Sequence, residues 1–340
     1  MTRFLLAGVC VSFAAATATA QTDQVRTTSG NVAGQVTASS PISVTVTRGS
    51  TEKKVPLVDI TAVQFAEEPS ELRQARLNYR NGGYKVALDK LQQIDAAAID
   101  NAFVTADIAF HTAASQAKLA LLGERTIADA GRQLERFLNE NRKSYHWLAG
   151  TELMGDLFVA AKRYDQAEGR YKKLAQAPFP QYKIRAGVLL GEVSQAKEDH
   201  ATAIKRFDAV LSIDDDSANA GTPKLRARLG RAVSLAATGK LDDGVRLVQE
   251  VIRESDPEAR RLNARAYNAL GNCYREAGQA KEAAYAYLHV DLLYASVPEQ
   301  HAEALYRLGS LLEEVGKPQE ARDARQTLQK QYASSRWAKL

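Results

Sequence analysis

The side chains able to do chemistry are few and scattered. His111, His146, His200, His289 and His301 show no ligand spacing. His289 and Asp291 are near neighbours, but two apart on a helix they face different ways. The chain contains no G-x-x-x-x-G-K-[ST] phosphate loop, no G-x-S-x-G, no H-E-x-x-H and no C-x-x-C. These patterns predict no metal site, no cofactor and no catalytic residues. The remaining catalytic reading rests on Glu152, Asp156 and Glu192, carboxylates on adjacent helices that could share acid and base roles in glycoside cleavage. Around them the sequence offers no aromatic sugar platform and no lid, so a glycan hydrolase stands only as a remote alternative.

The first twenty residues read as a secretory leader. Arg3 gives a short positive start, Phe4 to Ala16 is apolar or small, and Ala18-Thr19-Ala20 is a small-residue cleavage site. Cleavage after Ala20 predicts a periplasmic or secreted chain. The apolar run is shorter than the ~20 residues a bilayer span needs, and no later stretch is long and apolar enough to cross a membrane. Loss of the leader takes Arg3 and no acid, leaving a formal charge of +4 from +5. Such mild basicity does not imply nucleic acid; it allows weak attraction to acidic surfaces. Cys10 leaves with the leader, so Cys273 has no partner and is expected to be a buried, inert thiol.

Two patterns divide the mature chain. Across 21–66, short runs alternate apolar and polar, as in Ser43-Val44-Thr45-Val46-Thr47, with β-branched residues prominent. Period two with a turn at Arg48-Gly49-Ser50-Thr51 predicts a small module of three or four strands resting on the helical part of the chain. From Ser70 the period becomes helical, and the helices repeat. Leu270-Gly271 is followed by Tyr274, Gly278, Ala283 and Tyr287. Met154-Gly155 is followed at the same offsets by Phe158, Lys162, Ala167 and Tyr171, and Leu308-Gly309 by Leu312, Gly316, Ala321 and Arg325. Leu190-Gly191 leads to Ser194, Glu198, Ala203 and Phe207, with weaker copies at Ala232, Ala117 and Ala75. From Gly155 onward the reference positions are spaced 36, 41, 39 and 38 residues apart. The surplus over a compact helix pair is expected in connections such as Ala177 to Pro180 and Asp214 to Pro223.

This pattern resembles the tetratricopeptide repeat: a small residue where two helices cross, an aromatic three later, a turn glycine, then Ala and an aromatic on the second helix. The whole chain resembles secreted bacterial proteins that place a short β module before such repeats. The resemblance implies a mainly α fold: an α-solenoid of about seven helix pairs over 70–330, closed by a cap at 331–340. In that family the first helix of each pair lines a concave groove. Carried over position by position, the resemblance puts Glu152, Asp156 and Glu192 in the middle of that groove. It puts Arg265, Asn268, Asn272, Arg275 and Arg307 toward its C-terminal part. The groove would then be acidic in the middle and basic and amide-rich toward the end. The chaperone-binding members grip a C-terminal carboxylate with a Lys/Asn/Arg clamp; Asn272 fits one position, while Asn268 stands where the clamp has Lys. The expected function is non-enzymatic: a scaffold or adaptor of the cell envelope that binds a protein or peptide partner on the concave face. The alternative is a structural or assembly component of an envelope or export complex, acting by self-association.

Overall fold

The computed structural model describes residues 22–215 and 218–340; the leader lies outside the described residues. Five strands come first: β1 (Asp23–Thr27), β2 (Gly30–Ser40), β3 (Ser43–Arg48), β4 (Thr51–Pro56) and β5 (Ile60–Gln64). They form one antiparallel sheet in the order β4-β3-β2-β1-β5. The expected three or four strands are thus five. The polar β1 and the almost wholly exposed β4 carry little alternation of their own and are held by pairing to β2 and β3.

Fourteen helices come after the sheet among the described residues, packing in sequence order as seven pairs. The first members are α1 (Ser70–Arg80), α3 (Ala102–Leu121), α5 (Trp147–Ala160), α7 (Pro180–Ala196), α9 (Ala218–Ala237), α11 (Arg260–Glu276) and α13 (Pro298–Glu314). Their partners are α2 (Tyr84–Leu91), α4 (Ile127–Glu140), α6 (Tyr164–Ala175), α8 (His200–Leu211), α10 (Leu241–Glu254), α12 (Ala280–Leu293) and α14 (Pro318–Tyr332). Pro180, Pro298 and Pro318 each open a helix, where a missing N–H costs nothing. Part of the stretch expected as a connection, Asp214 to Pro223, is helical instead: α9 begins at Ala218 and takes Pro223 near its start. The chain ends in a 3-10 turn, Trp337–Lys339, rather than a capping helix.

The repeat signature has a physical basis in packing. A Cβ on Gly155 would run into the ring of Tyr171, one on Gly191 into Phe207, and one on Gly271 would lie 2.7 Å from Tyr287. Each glycine therefore makes room for an aromatic ring from the second helix, where backbone approach was expected. Those rings are almost wholly buried. The turn between the two helices has positive φ in every pair. Glycine holds it at Gly82, Gly123, Gly239, Gly278 and Gly316, Lys162 in the third pair and Glu198 in the fourth. Apolar clusters run without interruption from pair to pair.

The sheet is docked, not pendant. Val25, Val63 and Phe65 share one core with Leu72, Ala75, Val104 and Ile108 of the first helices. Farther along, Ile42 and Leu57 pack with Leu148 and Tyr182, and Tyr145 N–H donates to Ser39 Oγ at 3.0 Å.

Candidate functional site

The first helices of successive pairs are joined along one side by polar side chains reaching to the next pair. Glu152 on α5 pairs with Arg185 on α7 at 2.6 Å. Glu192 on α7 accepts three hydrogen bonds from Arg226 on α9, at 2.6, 2.7 and 3.1 Å. Gln195 donates to the Gly230 carbonyl at 2.8 Å and Ser234 Oγ at 3.0 Å. Asn268 on α11 donates to the Gln300 carbonyl on α13 at 3.0 Å, and Asn272 reaches Glu303 at 3.5 Å. These links give the inner face a row of charge and amide pairs, each bridging two repeats.

The row is less polarised than the resemblance implied. Two of the three acids, Glu152 and Glu192, are matched by arginines one repeat further on. Asp156 is the exception: the Tyr171 hydroxyl donates to it at 2.8 Å, and no cation forms an ion pair with it among the described residues. Burial and the adjacent Glu152 push its carboxyl up to about 6. At the C-terminal end the named residues separate. Asn268 is 3% exposed; its amide nitrogen is spent on the next repeat, while Oδ1 is buried without a partner. Asn272 accepts from the Tyr287 hydroxyl at 2.9 Å. Arg275 is bonded to Glu276 beside it. Arg307 lies over Tyr306 and Trp337, both at 5.3 Å.

Arg265, like Arg307, has no carboxylate ion pair among the described residues, and unlike Arg307 it has no aromatic ring beneath it. Burial and then the nearby Arg226 pull its guanidinium down, against the weaker pull of Glu299, Glu192 and Glu303. The row of pairs breaks here, between α9 and α11, with two arginines near each other. A carboxylate arriving from outside would relieve both the repulsion and part of the burial cost.

A cavity of about 420 Å3 opens where β5 meets α1, α3, α5 and α7. Tyr79, Phe110 and Tyr182 line it, with Glu152, Asp156 and Lys118 beside them. At its wall lies a hub that the sequence pattern did not single out. The buried Asp107 carboxylate takes Arg76, the Tyr145 hydroxyl at 2.6 Å and His146 Nε2 at 2.5 Å; Arg76 also pairs with Glu68 at 2.6 Å. Burial would raise the Asp107 carboxyl, but Arg76 and His146 outweigh it and hold it well below the usual range. Burial pushes His111 down to about 3. Asp107, His111 and His146 bring potential ligand atoms within 4.8 Å of one another, yet both Asp107 oxygens are already committed to Arg76, Tyr145 and His146. The hub fits a structural ion-pair network joining the first three repeats. Its one local trace in the sequence is the i, i+4 spacing of Asp107 and His111; Arg76 and His146 come from other repeats.

Among the described residues no helix is long and apolar enough to cross a membrane. The family model for the tetratricopeptide repeat matches residues 303–335, which span α13 and α14. A tetratricopeptide repeat protein from Parabacteroides merdae is 16% identical with a TM-score of 0.55, covering 79% of this chain and 96% of its own. A Rap protein complexed with competence and sporulation factor is also 16% identical, with a TM-score of 0.56, covering 78% of this chain and 76% of its own. Comparison with curated proteins finds no match. Repeat signature, helix pairing and shared fold agree: the chain folds as an α-solenoid similar to that of tetratricopeptide-repeat proteins, with a five-stranded sheet docked on its first repeats.

Proposed function

We propose that this chain is a non-enzymatic interaction scaffold of the cell envelope that binds an extended peptide segment of a partner along the inner face. The observation that carries this reading is the gap between α9 and α11, where the partly buried Arg265 guanidinium has no carboxylate partner among the described residues and lies near Arg226. A peptide carboxylate at Arg265, with Arg307 on the next repeat, would supply the missing charge. Asp156 at the other end would take a basic group. The solved Rap complex lends support as a similar fold complexed with competence and sporulation factor. Against hydrolysis, the Glu152 and Glu192 carboxylates are already engaged by Arg185 and Arg226. Export to the periplasm rests on the leader reading of residues 1–20.

The test is crosslinking with mass spectrometry in the native cell, comparing the wild-type chain with Arg265→Glu. Loss of a specific partner, with the helical content unchanged, supports the reading; equal recovery overturns it. A second reading, assembly by self-association, has one observation in its favour. Tyr285, Leu292 and Leu293 on α12 are apolar and more than half exposed. A concentration-dependent rise in sedimentation coefficient, lost in Leu292→Lys, would favour it.

A further inference from the structure

The C-terminal turn reaches back to the second helix pair. Lys339 donates from Nζ to the Leu122 carbonyl at 2.9 Å, across 217 residues of sequence. Its side chain lies over Gly123, in the turn between α3 and α4, where a Cβ would sit 2.8 Å from Lys339 Cδ and Cε. The C-terminal turn is shaped before it reaches across. Trp337 is 8% exposed and lies between Arg307 and Arg336, with Tyr306 at 5.4 Å. Gln329 Nε2 donates to the Ala338 carbonyl at 2.8 Å. After burial, Glu299 at the start of α13 raises the phenol of Tyr84 at the start of α2.

We propose that the C-terminal turn is a latch on the α3–α4 turn that closes the solenoid onto its second helix pair, so that the inner face becomes the wall of a ring and admits an extended segment with a free end. Closure comes from geometry alone. The form of the partner rests on the peptide-binding function proposed for the inner face. A glycine at position 123 serves two purposes: its φ of +75° suits the turn, and its missing side chain leaves the seat for Lys339. A folded domain, or a segment with folded domains at both ends, could enter only with the latch open.

The test places spin labels at Glu124→Cys and Leu340→Cys in a Cys10→Ser background; Cys273 is buried, with its thiol pushed up to about 12, and stays unlabelled. With no ligand present, the expected result is one short, narrow distance distribution that broadens and lengthens in Lys339→Ala. A long or broad distribution with Lys339 intact, or no change on its removal, overturns closure whatever the protein binds. The second arm seals the two cysteines with a short bis-maleimide. Its probe is a linear peptide selected on the unsealed protein from a random library. The sealed ring should bind the free peptide as before, and the same peptide flanked by two folded domains at least about tenfold more weakly. Equal binding of both forms overturns the ring as an enclosure.

Discussion

Asp156 is the least comfortable carboxylate on the inner face, and its cost can be measured. Its folded value of about 6 lies above the unfolded value, so the folded state binds the extra proton. That contribution is destabilising above pH 6 and disappears as the pH falls toward 4, with an upper bound of about 3 kcal/mol. Asp156→Asn keeps an acceptor for Tyr171, so it should stabilise the protein at pH 8 and leave it nearly unchanged at pH 4. Urea unfolding at the two pH values reads the difference. His111 works in the opposite sense, since its folded value lies below the unfolded one and acid therefore weakens the fold; taking mutant minus wild type removes that background. At this scale the sequence was half legible. Repeat offsets located the acids Glu152, Asp156 and Glu192. They did not reveal that Arg185 and Arg226 stand opposite two of them, because each arginine lies on the next repeat and belongs to no motif. They also gave no sign that Asn268 would be buried and its amide spent on Gln300.

At the scale of the helix pair, glycine has opposite effects at different positions. Gly155 faces the Tyr171 ring, while Gly169 on α6 has nothing within 4 Å of where a Cβ would be. Gly155→Ala should therefore cost about 1–3 kcal/mol by overpacking. Gly169→Ala should instead gain about 0.5–1 kcal/mol from helix propensity. Thermal unfolding of the two variants should move in opposite directions from wild type, and equal shifts would show that the ring contact does not organise the repeat. Helix pairs were legible because such contacts recur at fixed offsets, with Tyr171, Phe207 and Tyr287 at one place in three repeats. The sheet was less so. Val44 and Val46 on β3 alternate with polar neighbours and announce a strand. β1 buries only Asp23 and Val25, and β5 finds its place by pairing with β1 rather than with its neighbour β4, which no local pattern encodes.

For the molecule as a whole, charge and amide pairs link the first helices of successive pairs, and the sheet docks on the first repeats. That leaves two surfaces competing for a partner: the inner face near the cavity, and the apolar side of α12. One substitution on each separates them. A benzophenone side chain replaces Tyr182, which lines the cavity, or Tyr285, which is 55% exposed on α12. Irradiation in the native cell followed by mass spectrometry shows which position meets another chain. Crosslinks to one partner peptide from position 182, absent from 285 and lost with Arg265→Glu, are the predicted result. Crosslinks from position 285 alone, to a partner or to a second copy, would contradict it.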